Sequence, residues 1–152
     1  MDLYGNTQLL DAPLVAFFAS RTAPPEALAL ALRWAHEIAR TNRVVISGFH
    51  SHIERAVLEV LFAHRRPVVL ALGRSLYRRL PARFQVAFDE QQLLMLSFRR
   101  TQRANVSNSQ LRNWAIADMA AEIVFAPFAP DSQLSTLCYT LRQRGASVRL
   151  LG

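Results

Sequence analysis

Apolar and polar positions follow two rhythms along this chain. After a polar lead of about a dozen residues, short unbroken apolar runs alternate with stretches in which apolar side chains recur at helical spacing, the pattern of a parallel sheet covered by helices on both faces. Leu14-Val15-Ala16-Phe17-Phe18-Ala19 contains no polar residue and reads as a strand buried on both sides. It ends at Ser20-Arg21-Thr22. Pro24 and Pro25 suit the first turn of a helix, and Leu28, Ala31, Leu32, Ala35, Ile38 and Ala39 keep one apolar face as far as Thr41-Asn42.

Arg43-Val44-Val45-Ile46-Ser47 is the second expected strand. It runs through Gly48 into a helix with Ile53, Val57, Val60 and Leu61 on one face, and Ser51 with Glu54 forms a capping box. Pro67 to Leu72 gives a third strand ending at Gly73. Pro81 divides the next stretch into a short helix near Ser75–Leu80 and another near Ala82–Asp89. Leu93 to Leu96 is a fourth strand, followed by a polar loop from Ser97 to Ser107. Asn108 or Ser109 can cap a helix running through Met119, with Leu111, Ala115, Ile116 and Met119 inward. Glu122–Ala126 is a fifth strand. Asp131 or Ser132 opens the last helix, with Leu134, Leu137, Cys138 and Leu141 on its core face and Gly145 just beyond its end, before a sixth strand over Ala146–Leu151.

These elements predict one α/β domain across residues 1–152, with 1–13 as the polar lead. The expected architecture is a three-layer, doubly wound, Rossmann-like fold around a mostly parallel six-stranded sheet. A length of 152 residues fits one domain, and 51% hydrophobic with 19% charged residues excludes disorder and coiled coil. The single cysteine, Cys138, excludes an internal disulfide and a multi-thiolate zinc site. No apolar run approaches the ~18 residues of a membrane span, and Met1-Asp2-Leu3-Tyr4 carries an acid where a signal peptide carries positive charge. A cytoplasmic protein with no membrane partner is therefore expected.

Charge changes the picture. All 18 basic residues are Arg, against 11 acids, for a net charge of +7, which suits an anionic partner but equally describes a solvated surface. Arg74, Arg78, Arg79 and Arg83 follow the third strand, and Arg99, Arg100, Arg103 and Arg112 surround the loop after the fourth. Ligands of open parallel sheets bind beyond the carboxyl ends of the strands, so these loops could form a patch that follows a nucleic-acid backbone, with Phe98 and Trp114 as stacking faces unless they belong to the core. The turn Ser47-Gly48-Phe49-His50-Ser51 joins a strand to a capped helix, where free N–H groups and the helix dipole favour a phosphate. The same turn also reads as an ordinary strand-to-helix connection closed by its own cap.

Several chemistries are excluded. Without Lys there is no Walker loop, and with 5 Gly and no G-x-G-x-x-G a standard dinucleotide cradle is disfavoured. His52-Ile53-Glu54 matches the H-x-E of zinc deaminases but lacks their P-C-x-x-C, and no G-x-S-x-G elbow occurs. His50 and His52 lack a second ligand cluster, and His36 and His64 lie in helical stretches with no assigned role. No catalytic residue, metal ligand or cofactor is expected.

The motif order resembles the Rossmann-type domain of the DNA processing protein A (DprA, Smf) family of the SLOG superfamily, from about Leu14 to the C-terminus. Phe18-Ala19-Ser20-Arg21 stands where that family has G-S-R, and Ser47 to Glu54 where it has S-G-x-A-x-G-I-D. Leu72-Gly73 and Leu80 to Phe84 are similar to its glycine and Y-P-x-x-N element, Arg112 to Ala120 to its R-N-R-I-I-A-G-L-S helix, and Asp131 to Thr136 to its S-G-S-L-I-T. Ala19, His52, Trp114 and Ser132 depart from the family residues, and side chains in place of glycine narrow the approach of a phosphate backbone.

The resemblance implies a non-enzymatic domain that binds single-stranded DNA, with a RecA-like recombinase as recipient. A homodimer is left open. The residues expected to contact phosphate are Ser20, Arg21, Ser47, Gly48, His50, Ser51, Arg99, Arg100, Arg103, Arg112, Asn113, Ser132 and Thr136. The alternative is a SLOG-type sensor of a nucleotide or nucleoside phosphate, or a degenerate hydrolase. The P-G-G-x-G-T loop of the related phosphoribohydrolases is absent.

Overall fold

The computed structural model describes residues 1–98 and 106–152. Seven strands form one sheet in the order β1-β5-β4-β3-β2-β6-β7. They are β1 (Asp2–Gly5), β2 (Leu14–Phe18), β3 (Val44–Ser47), β4 (Val68–Leu72), β5 (Leu93–Ser97), β6 (Ala120–Phe125) and β7 (Val148–Leu150). The helices are α1 (Ala27–Ile38), α2 (His52–Ala63), α3 (Gln85–Asp89), α4 (Val106–Met119) and α5 (Gln133–Gln143), with 3-10 turns at Thr7–Asp11 and Ala82–Phe84. None of the described helices is long and apolar enough to cross a membrane.

The unbroken apolar runs become strands because both sheet faces are covered. Every residue of β2, β3, β4 and β5 is buried, and their side chains divide alternately between two cores. Val15, Phe17, Val45, Leu70 and Met95 pack under α1, α2 and the 82–89 segment, where Phe17 stacks on Trp34 with ring centroids 4.9 Å apart. Leu14, Ala16, Phe18, Ile46 and Leu96 pack on the other face with Ile116, Leu137 and Leu141 of α4 and α5. The burial of α1 rotates slightly from the expected stripe: Ala27 and Trp34 are inside, while Leu28 and Leu32 are half-buried.

The sheet is parallel except at β1, which pairs antiparallel with β5, Asp2 opposite Ser97 and Gly5 opposite Leu94. The lead thus contains a seventh strand, beyond the six expected. Its side chains are mostly exposed, so no apolar run marks it. Backbone contacts hold it instead, with Asn6 N donating to Leu93 O at 2.9 Å and Asn6 Nδ2 to Gln91 O at 2.9 Å, and Tyr4 stacks on Phe88. Residues 75–80 form no helix, correcting that expectation, because the segment ending at Pro81 is held by side-chain packing of Leu76, Tyr77 and Leu80 onto the first core. Helix α4 begins at Val106, so Asn108 and Ser109 lie inside it rather than capping it.

The chain adds β3, β4 and β5 on one side of β2, then returns to place β6 on the other. Beyond the carboxyl ends of β2 and β6 the connections diverge, and an open α/β sheet leaves a crevice at such a switch point.

The edge strand depends on Gly5. Its φ is +119°, and a Cβ there would lie 2.3 Å from the Leu93 carbonyl oxygen. Gly5→Ala should release β1, lowering stability by about 1–3 kcal/mol. Hydrogen exchange should show the Asn6 amide losing protection while the central strands keep theirs.

Candidate nucleic-acid interface

The turn after β3 is closed by the chain itself. Ser51 caps α2, its hydroxyl accepting from Glu54 N at 3.2 Å. The Glu54 carboxylate, 5% exposed, accepts from His50 N (2.9 Å) and Ser51 N (3.1 Å) through Oε1, and from Ala19 N at the end of β2 (3.1 Å) through Oε2. Ser47 Oγ accepts from Phe49 N at 3.1 Å. The expected cradle of free N–H groups is therefore corrected: the amides of Phe49, His50, Ser51 and Glu54 are already bonded. Ser47 is fully buried in this role. The tight turn is taken by Phe49, at φ +45°, and not by the glycine beside it.

Gly48 is small for a different reason. A Cβ there would stand 2.7 Å from the Arg112 guanidinium, so the glycine lets α4 lay this side chain flat against the β3 turn. Arg112 is 7% exposed, and its Nε and Nη2 donate to Asn113 Oδ1 at 3.3 and 3.2 Å. Among the described residues no carboxylate lies within ion-pair distance of it. Burial lowers its pKa from the usual arginine value, Glu54 opposes that shift and Arg21 adds to it. Its charge is held by the Asn113 amide and, at longer range, by the Glu54 carboxylate, so a direct anion contact would add to what it already has.

Arg21 follows β2 and reaches the same place, its Nη2 3.2 Å from His50 Nε2. The His50 pKa is pushed down, first by partial burial, then by Arg112 and Arg21, with Glu54 opposing and Arg55 adding a little. His50 is therefore neutral near pH 7, and its Nε2 can accept from Arg21.

Two hollows meet at His50 and Arg112. The first, about 660 Å³, occupies the switch-point crevice and is lined by Ser20, Arg21, Ser51, Asn113, Ser132 and Gln133 among others. Ser132 is the N-cap residue of α5 yet makes no capping bond, and its Oγ is buried without a hydrogen-bond partner. The start of α5 thus lacks the side-chain cap that the start of α2 has, which leaves more of its first-turn amides open to an anion. The second hollow, about 560 Å³, lies beyond β3 and β4, lined by Gly48, Phe49, Arg55, Phe62, Arg74, Tyr77, Arg83 and Phe84. Arg74 lies over the Tyr77 ring at 4.6 Å, and Arg83 over Phe84 at 4.5 Å.

Of the expected contact residues, Ser20, Arg21, His50, Ser51, Arg112, Asn113 and Ser132 converge on the first hollow, and Gly48 on the second. Thr136 is exposed on α5 one turn further along and lines neither hollow. Arg99, Arg100 and Arg103 lie outside the described residues. The stacking faces differ from those expected: Phe98 and Trp114 pack against the second core, with Arg144 over the Trp114 ring at 5.2 Å. Tyr77 and Phe84 line the second hollow while packing on the first core. Sequence reasoning also misses Arg55, whose place one residue after the capping box is a usable signal.

The sequence pattern of the DNA recombination-mediator protein A family matches residues 2–144. A search of curated proteins finds no match to the chain. Among solved structures, DNA processing protein A from Streptococcus pneumoniae superposes with a TM-score of 0.79 at 20% identity, covering 97% of this chain and 53% of that one. DNA processing protein A from Helicobacter pylori, described for its single-stranded DNA binding mode, gives 0.77 at 18% identity, covering 97% and 69%. The molybdenum cofactor carrier protein of Chlamydomonas reinhardtii gives 0.58 at 11% identity, covering 91% and 75%. This chain therefore spans about half the length of the pneumococcal protein. With the family pattern covering nearly all of it, the chain belongs to the DNA recombination-mediator protein A family.

Proposed function

We propose that residues 1–152 act as one non-enzymatic unit that binds single-stranded DNA at the carboxyl edge of the sheet. The observation that carries this reading is Arg112, a buried guanidinium with no carboxylate partner among the described residues, placed where the two hollows meet. A phosphate in the switch-point crevice would give Arg112 a direct counter-ion beyond the more distant Glu54, with Arg21, Asn113 and the uncapped start of α5 as further donors. The neighbouring hollow, with Tyr77 and Phe84 under arginines, suits an unstacked base. A RecA-like recombinase as recipient of the strand, a homodimeric state and a cytoplasmic location belong to the same proposal. A second reading, a nucleotide or nucleoside-phosphate sensor, is favoured by hollows of a volume suited to a small ligand.

Anisotropy of labelled oligo-dT should show binding that weakens linearly on a log–log salt plot, with a slope of about −0.7 per phosphate neutralised. A slope near zero would sink the DNA reading. A mononucleotide held at ~100 times its dissociation constant and raising stability by about 2.7 kcal/mol would favour the sensor instead.

Arg112→Met should weaken DNA binding about 10–100-fold, the worth of one charge-assisted contact. The same substitution should also lower the stability of the free protein by about 1 kcal/mol, since it removes the donor to Asn113 and a cation that favours the buried Glu54 carboxylate. Gly48→Ala, by displacing the guanidinium, should reproduce the binding loss.

The His50 pKa is depressed in the free protein, and a bound phosphate would raise it. Binding then takes up a proton, so affinity should rise as pH is lowered from 8 toward and below the ordinary histidine value of 6.5. His50→Gln should flatten that profile while leaving salt dependence in place.

A further inference from the structure

The helices that cover the first core end at the opposite edge of the sheet from the DNA site, and there two histidines meet. His36 lies in the last turn of α1 and His64 is the C-cap residue of α2, both exposed. His36 Nδ1 and His64 Nε2 are 3.1 Å apart, with the rings nearly perpendicular at 79° and their centroids 5.3 Å apart. The nitrogens face each other across one shared proton. A hydrogen bond between two exposed side chains contributes little in water, so the pair gains little from that proton alone.

We infer that His36 and His64 form a two-histidine clip for a late first-row divalent cation, which takes the place of the shared proton and ties the end of α1 to the end of α2. Two imidazole nitrogens at ~2.0–2.1 Å from one zinc ion, with a ligand–metal–ligand angle of about 90–110°, stand roughly 2.9–3.4 Å apart, and the 3.1 Å separation lies inside that range. Each ring needs a modest tilt to aim its lone pair at the ion, and exposure leaves both free to tilt. Bound this way, both contacting nitrogens are deprotonated and the remote nitrogens carry the N–H.

The donors select the class of ion. Imidazole nitrogen bonds weakly to magnesium and calcium and strongly to zinc, nickel and copper. Arg33, three residues before His36 on α1, and Arg65, next to His64, oppose any cation and keep the site weak. Among the described residues no group of three or more potential ligands occurs. Water therefore completes the coordination, and the site is a weak one.

Zinc chloride and nickel chloride, titrated separately into the full chain, test the clip. Calorimetry should show one ion bound per chain, and thermal melts with the ion at ~100 times its dissociation constant should rise by roughly 5–10 °C, reversed by EDTA and not produced by magnesium. His36→Gln and His64→Gln should each remove the shift while leaving the metal-free melt and oligo-dT binding near wild type. His52→Ala, at the far end of α2, should keep it. No shift in the wild-type chain, or a shift that survives both His36→Gln and His64→Gln, overturns the clip. Loss of metal-free stability in both variants without any metal response in the wild type marks a plain hydrogen bond, and overturns it too.

Discussion

The carboxylate of Glu54 is the pin on which the carboxyl edge of this sheet turns. One buried group receives the backbone of β2 at Ala19 and of the β3–α2 turn at His50 and Ser51. Without it, three amides would lose their acceptor, and for the buried Ala19 and Ser51 each loss costs about 1–3 kcal/mol. The consequence reaches beyond stability. The acid is bonded to backbone and makes no direct ion pair with Arg112, and with Ser51 it closes the turn before α2 and the third amide of that helix. Positive potential at the edge therefore comes from side chains and from the open start of α5.

The fold is largely legible in the sequence because its central strands are buried on both faces and so read as pure apolar runs. Leu14–Ala19, Arg43–Ser47 and Leu93–Leu96 need no knowledge of their neighbours to be recognised. What stays hidden depends on partners. The edge strand β1 is defined by backbone pairing with β5 and by a contact at Gly5 that no periodicity encodes. Residues 75–80 look helical by spacing, yet Leu76, Tyr77 and Leu80 serve the core from an irregular path.

The site is legible in membership more than in mechanism. Arg21, His50 and Ser132 follow different strands, Arg112 and Asn113 are neighbours on α4, and the fold places all five around one crevice. The turn after β3 suggests free amides because a glycine turn before a capped helix has the form of an anion cradle. The residue that fills it, Glu54, is visible in the sequence only as a capping partner. Aromatic roles are misread for a related reason: Trp114 and Phe98 are close in sequence to the arginine-rich loop, but Trp114 on α4 and Phe98 just beyond β5 both pack against the second core.

The shared wall between the two hollows gives the edge a property that neither has alone. One guanidinium serves both sides, and it can neutralise one negative charge. Were both compartments to take ligand, as the proposed function has it, their occupancy would be thermodynamically coupled, and the coupling would be reciprocal. Two anions would compete for Arg112 across the wall, whereas an anion on one side and an uncharged ring on the other would not. A wall of this kind discriminates by the order in which charge and apolar surface recur along a ligand, a selectivity of spacing rather than of base identity.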